Sequence, residues 1–218
     1  MDKIRKNWKY YASAFGVSSA LLAMMLFYKK YKGKHLPINS NNNTQASNNL
    51  YPLLKSEAKR RSTIISDENI KYTLFLNLKD KNTMNSDFEG SVIIHFSLNN
   101  LEDTFLDFHG KVKSMSINGK TIQAIHKNDR IYLNSSLLTI TNNTVIIEFS
   151  CPYSTNEHGL RYFKSDSFEN YIISNFEPFY AHTVFPCFDQ PDMKANIKLI
   201  VAVHKEFEVI TSSKLIQI

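Results

Sequence analysis

Cysteine is nearly absent: only Cys151 and Cys187 occur in 218 residues, too few for a disulfide framework or a thiolate metal site. Two buried free thiols acting as small apolar side chains are favoured over a single bridge, and cysteine usage leaves the redox compartment open. Histidine pairs are lacking as well. The seven histidines are His35, His95, His109, His126, His158, His182 and His204, and no two stand four apart. That excludes a zinc site of the His-Glu-x-x-His kind, which needs two imidazoles on one helical face. There is no Gly-x-Ser-x-Gly elbow and no Gly-rich phosphate loop, so nucleophilic and nucleotide chemistry find no motif here.

The body of the chain also lacks an excess of charge of either sign. The formal net charge is +6, but eight Lys/Arg up to Lys34 face Asp2 alone, leaving 18 basic against 19 acidic residues beyond it. A balanced body offers no electrostatic footprint for phosphates, and no nucleic-acid partner is expected.

Charge is missing altogether from Tyr10 to Tyr28, nineteen residues bracketed by Lys3, Arg5, Lys6 and Lys9 before and Lys29, Lys30, Lys32 and Lys34 after. A helix of that length reaches roughly 28 Å, close to the hydrocarbon thickness of a bilayer, and Tyr10, Tyr11 and Tyr28 stand where interfacial aromatics belong. The reading is one uncleaved transmembrane anchor over residues 10–28. A cleaved signal peptide is the alternative, but Phe27-Tyr28-Lys29-Lys30 offers no small-residue exit; a buried helix is the other. Basic residues on both sides nearly cancel, so the flanks do not set the orientation.

What is present is β-forming material. Hydrophobic residues make up 43% of the chain, and Tyr and Phe supply 11 and 15 of them, enough for one sizeable domain with its own core. The run Asn39–Asn49 has nothing to bury and reads as a flexible tether; Tyr51 to Arg61 reads as a short amphipathic helix with no functional content. From Ile70 the hydrophobic period becomes two, with Ile70, Tyr72, Leu74, Leu76 and Leu78 alternating with Lys71, Thr73, Phe75 and Asn77. Further strand-like runs are 91–98, 104–108, 112–117, 130–133, 144–150, 171–174, 197–204 and 207–212, and Asn118-Gly119 is a two-residue hairpin signal. The expectation is an all-β, antiparallel sandwich or open curved barrel. The expected organisation is a basic tail over 1–9, an anchor over 10–28, tether and helix over 29–69, and a β domain over 70–218.

The most informative stretch runs from Ser174 to Ala195. In it Glu177 lies between Phe176 and Pro178, and proline restricts the residue before it to extended geometry. A carboxylate held that way can face a cation, a charge-assisted hydrogen bond of roughly 1.5 to 3 kcal/mol. On the residues alone, a solvent-facing Glu in a strand-end loop is nevertheless the favoured reading. Phe185-Pro186-Cys187-Phe188-Asp189-Gln190-Pro191 is a rigid corner with φ fixed at two prolines. Asp189 is suited to bond turn amides, and Cys187 has no base or metal partner to make it a nucleophile.

Asn175-Phe176-Glu177-Pro178 with Phe185 to Pro191 resembles the end of the N-terminal domain in zinc aminopeptidases of the aminopeptidase N family. The likeness extends through Tyr72–Leu78, Glu89–Phe96, Phe105–Phe108, Cys151–Ser154, Gly159–Phe163 and Phe207–Ser213, most of the chain from Ile70 onward. It implies a β saddle that holds the free amino terminus of a peptide substrate, with Glu177 binding the α-ammonium group. Asn175 stands where relatives carry Gln in the same clamp, and is one methylene shorter. His182 replaces the usual Arg, and Gln190 the usual Glu. The Phe185–Pro191 motif is read as structural.

The resemblance also implies a zinc ion in the full-length enzyme, held by a catalytic domain whose His-Glu-x-x-His and Gly-x-Met-Glu-Asn motifs are missing here, and none bound by this chain. The chain is then expected to be a fragment, inactive alone. The apolar ending Leu215–Ile218 is read as an artificial stop. It also implies a single-pass type II protein with its β domain extracellular or lumenal, which the sequons at Asn42, Asn134 and Asn142 fit. The alternative is a stand-alone, membrane-anchored binding module for peptides or a partner protein.

Overall fold

The computed structural model describes residues 8–14, 26–29, 51–78, 87–164 and 170–217. Strands β1 (Trp8–Ala14) and β2 (Leu26–Lys29) are followed by helix α1 (Lys55–Ile64). Then come β3 (Ile65–Asn77), β4 (Phe88–Leu98), β5 (Thr104–Asp107), β6 (Lys111–Ile117), β7 (Lys120–Ile122), β8 (His126–Lys127), β9 (Arg130–Leu133) and β10 (Asn143–Cys151). The chain closes with β11 (Gly159–Lys164), β12 (Asn170–Asn175), β13 (Ala195–His204), β14 (Phe207–Ile210) and β15 (Leu215–Gln217).

Among the described residues the strands form three sheets: β15-β1-β13-β3-β4-β10-β6-β7, β11-β12-β2-β14, and β5-β9-β8. Pairing is antiparallel except between β13 and β3, which run parallel from Ala195 opposite Ile70 to Ala202 opposite Asn77. The expected all-β class is what the chain adopts, with α1 as its one α-helix among the described residues.

Alternation decides which face is inside. Along β3, Ile70, Tyr72, Leu74 and Leu76 are buried while Lys71 is exposed, and the same period brings Val92, Ile94 and Phe96 of β4 and Val145, Ile147 and Phe149 of β10 into the core. Leu106, Ile131 and Leu133 of the small sheet and Leu160 and Ile172 of the four-stranded sheet join the same cluster. Where β4 and β10 lie closest a side chain would not fit: a Cβ on Gly90 would stand 2.5 Å from Phe149 Cζ and 2.8 Å from the Phe75 carbonyl oxygen.

The hairpin read at Asn118-Gly119 joins β6 and β7 with φ of 50° and 80°, the left-handed pair that a two-residue turn between twisted strands requires. A second such turn, Asn128-Asp129, joins β8 and β9 with φ of 55° and 56°.

Two expectations about the first seventy residues need correction. The folded body begins before Ile70: β3 starts at Ile65, which pairs with Leu98, and α1 buries Arg61 and Ile64. The helix ends there because Thr63-Ile64-Ile65 is a β-branched run, which favours extended backbone. Secondly, the single helix expected over 10–28 is not what its described parts form. Trp8–Ala14 pairs with the outer edge of β13, Leu26–Lys29 lies between β12 and β14, and residues 15–25 fall outside the described residues. The edge of β13 carries a row of N–H and C=O groups for which an apolar, aromatic-rich segment supplies partners. No helix among the described residues is long and apolar enough to cross a membrane.

Candidate functional site

Strand β12 ends at Asn175, and the chain turns over residues 177–180 into a short 3-10 turn, Ala181–Thr183. Phe176 is buried and packs edge-on against Phe185, ring centroids 6.2 Å apart, so the residues on either side of it are turned outward. Asn175 and Glu177 are both exposed. The Asn175 side-chain oxygen accepts from the Glu177 N–H at 3.3 Å, an Asx-type bond that fixes the backbone from which the carboxylate projects. The Glu177–Pro178 peptide bond is cis. Asn175 and Glu177 thus sit together, with the Asn175 side chain holding the backbone of Glu177.

Below this turn lies the corner. Phe185, Pro186, Cys187, Phe188 and Gln190 are buried, Asp189 is partly buried and Pro191 is exposed. The corner is held from four sides. The Phe188 N–H donates to the Tyr72 hydroxyl at 3.0 Å, and Cys187 and Asp107 exchange backbone bonds of 2.8 and 3.1 Å. The Asp189 N–H donates to Asp107 Oδ2 at 3.1 Å, and Asp189 Oδ2 accepts from the His182 N–H at 3.0 Å and bonds its Nδ1 at 2.7 Å. His182 is therefore a buried strut between the Glu177 turn and the corner. Both cysteines are free and buried, and burial first, then neighbouring carboxylates, pushes the Cys187 thiol well up, which makes it a poor nucleophile. These bonds hold the corner in place.

The anchor of the network is a residue that no local pattern singles out. Arg61 is 1% exposed; its Nη1 donates to Asp107 Oδ2 at 2.6 Å, its Nε to Gln190 Oε1 at 3.0 Å, and its guanidinium lies 4.8 Å from the Phe105 ring centroid. Gln190 Nε2 in turn donates to Ser62 Oγ at 2.7 Å and to the Ala58 carbonyl at 3.1 Å. Burial raises the Asp107 carboxyl above its ordinary value, against the pull of Arg61 and the Asp189 N–H. On the outer side of α1, Glu57 forms a two-pronged pair with Arg130, whose Nη2 reaches Oε2 at 2.7 Å, and accepts from the Leu54 N–H at 2.9 Å. Burial works against that carboxylate, but Arg130 and the Leu54 N–H outweigh it and hold Glu57 below its ordinary value.

Beside Glu177 stands a second feature. β11 pairs with β12 so that Gly159 lies opposite Asn175, and this places the loop before β11 against the turn. Gly159 has φ +76°, and a Cβ there would stand 2.5 Å from Thr183 Oγ1. The His158 and Tyr180 rings stack with centroids 3.9 Å apart and planes 4° from parallel. Among the described residues no three His, Cys, Asp or Glu side chains come together to hold a metal ion. The sequons Asn134 and Asn142 are exposed, Asn134 capping a short 3-10 turn and Asn142 at φ 59°, while Asn42 lies outside the described residues.

The family model described as Peptidase M1 N-terminal domain matches residues 68–217. Probable aminopeptidase 1 of Sulfurisphaera tokodaii is 34% identical over 109 residues, 50% of this chain and 13% of that protein. The leucyl aminopeptidase of Saccharolobus solfataricus is 29% identical over 149 residues, 67% of this chain and 18% of that protein. The chain thus spans less than a fifth of each of these relatives. Among solved structures, an M1 zinc metallopeptidase mutant from Deinococcus radiodurans bound to a Tyr-Ser-Ala substrate aligns with TM-score 0.52 at 14% identity. It covers 67% of this chain and 39% of that one. Aminopeptidase A of Legionella pneumophila in complex with aspartic acid aligns with TM-score 0.50 at 18% identity, over 61% of this chain and 15% of that one. At these identities the two structures share the fold.

Proposed function

Because the chain belongs to the family of M1 peptidase N-terminal domains, we propose that it is the part of a zinc aminopeptidase that holds the free amino terminus of a peptide, with Glu177 receiving the ammonium group and Asn175 fixing the turn that presents it. The observation that carries this reading is the Asx bond across Phe176: the buried ring pins the turn, and the carboxylate is left facing outward with its backbone set. A pre-positioned carboxylate distinguishes a free terminus from an internal peptide because only the terminus carries a charge to pair.

Magnitudes limit what this chain does by itself. An exposed carboxylate–ammonium pair contributes about 0.2–1 kcal/mol, well short of the roughly 4 kcal/mol that a millimolar Kd needs, so peptide binding through this pair alone is weak. Tight holding requires the pair to be closed off from water, which is the part assigned to a catalytic domain outside this chain. The zinc of M1 enzymes has no fitting ligand set among the described residues, and no step proposed for this chain runs through it; hydrolysis belongs to the catalytic domain. The reading is tested by titrating the purified chain with Ala-Ala-amide and its N-acetylated form, and by assaying aminoacyl-naphthylamide hydrolysis. Binding that requires the free amine, with no chelator-sensitive turnover, supports it; equal binding of the two peptides refutes it.

Attachment to a membrane through residues 10–28, with the β domain extracellular or lumenal, belongs to the same reading. Its support is the uncharged run between basic flanks. It requires those residues to leave the strand pairings of Trp8–Ala14 and Leu26–Lys29.

A further inference from the structure

We propose that the stacked His158–Tyr180 pair is the wall against which the first side chain of a bound peptide packs, so that the site takes peptides beginning with an aromatic residue in preference to those beginning with a small one. The inference rests on the Glu177 reading and deepens it.

A peptide's first side chain leaves from the carbon that bears the ammonium group, so once a carboxylate fixes that group, the side chain meets whatever surface lies one residue's reach away. Tyr180 closes the same turn that begins at Glu177, its N–H bonded to the Phe176 carbonyl at 2.9 Å. His158 comes from the other side, carried there by the pairing of Gly159 with Asn175. Both residues are partly exposed, and the two rings lie 4° from parallel, an arrangement that suits stacking of a third ring.

A purely structural role, pinning the loop before β11, explains less. That loop is already held by the Ser154 N–H bonded to the Leu160 carbonyl at 2.7 Å, by the His158 N–H on Asn156 Oδ1 at 2.9 Å, and by the close approach of Gly159 to Thr183. His158 Nδ1 contributes no polar contact to that loop, being closed to solvent with no hydrogen-bond partner. What remains is a pair of flat rings, one of them in the turn that begins at Glu177. Phe179, the other ring of the turn, is turned away onto buried His182, ring centroids 4.4 Å apart, which leaves the Tyr180 stack as the wall.

The test is an amide NMR titration of the full 218-residue chain with Phe-Ala-amide, Ala-Ala-amide and acetyl-Phe-Ala-amide. An aromatic contact of this kind predicts roughly three- to tenfold tighter binding of the first peptide than of the second. Shifts should centre on residues 158–160 and 175–183. Tyr180→Leu and His158→Leu, which keep bulk but lose the flat ring, should each bring that ratio toward one; Tyr180→Phe should keep it. Equal affinities in the wild type, or a ratio that survives both leucine variants, overturn the wall while leaving the Glu177 reading standing, provided acetylation abolishes binding. If acetylation changes nothing, or no peptide binds, the Glu177 reading falls and this inference with it.

Discussion

Arg61 and Asp107 meet at 2.6 Å with both side chains closed to solvent, 46 residues apart in sequence. Through Asp107 the guanidinium reaches the Asp189 N–H, and through Asp189 it reaches His182 in the turn that follows Glu177. A helix read from the sequence as short, amphipathic and without functional content is therefore linked to the turn that carries Glu177.

Removing one partner of such a pair strands the other. Arg61→Met should cost about 3–5 kcal/mol, because it leaves Asp107 as an uncompensated buried carboxylate. Adding Asp107→Asn, which retains an acceptor for the Asp189 N–H, should recover a large part of that loss. Chemical denaturation of the two variants and the parent checks both numbers; a double variant no more stable than the single one would mean that the pair is not coupled.

Acid should loosen α1 from the β5–β9 region. Glu57 titrates below its ordinary value of 4.5 in the folded chain. The stability from its ion pair with Arg130 is therefore complete above 4.5 and is lost as pH falls from there through the lower folded value. Glu57→Gln should lower the melting temperature at neutral pH and flatten its decline below about pH 5 relative to the parent. Parallel curves for the two proteins would contradict this.

Gly90 is a packing constraint. Gly90→Ala should destabilise by about 1–3 kcal/mol or more, since the methyl group meets the Phe149 ring and the unyielding Phe75 carbonyl. Gly119→Ala meets nothing within 4 Å and should lose only about 1–2 kcal/mol, from its left-handed φ. Melting curves of the two variants rank them.

The uncharged run gives a clean biochemical test. Expressed with its first 28 residues, the chain should remain with membranes after alkaline carbonate extraction and gain glycan mass at Asn134 or Asn142. Full release into the supernatant would instead favour strand β1 on the edge of β13.

The strands were largely legible because one face of each is wet, which forces a period of two: β3, β4, β6 and β10 fall where alternation put them, and Asn118-Gly119 makes the turn its composition demands. The Phe185–Pro191 corner was legible for the same local reason. Arg61 was not. In Lys59-Arg60-Arg61 nothing distinguishes the buried cation from its neighbours, one of which, Arg60, pairs on the surface with Glu102. A hint lay in Asp107, a carboxylate between Leu106 and Phe108 that has to find a cation if it is buried. Residues 8–14 admit two readings, since the uncharged run they enter meets the length of a bilayer span while the strand partner they pair with, β13, lies nearly two hundred residues away. The His158–Tyr180 stack likewise depends on the β11–β12 register, which no local pattern encodes.

The most direct measurement is the response of residues 175–180 to Ala-Ala-amide in the parent chain and in Glu177→Gln, which keeps size and hydrogen bonding but removes the charge. The account predicts amide shifts centred on those residues that are lost in the variant and absent with the acetylated peptide. Shifts that persist undiminished in Glu177→Gln would contradict it.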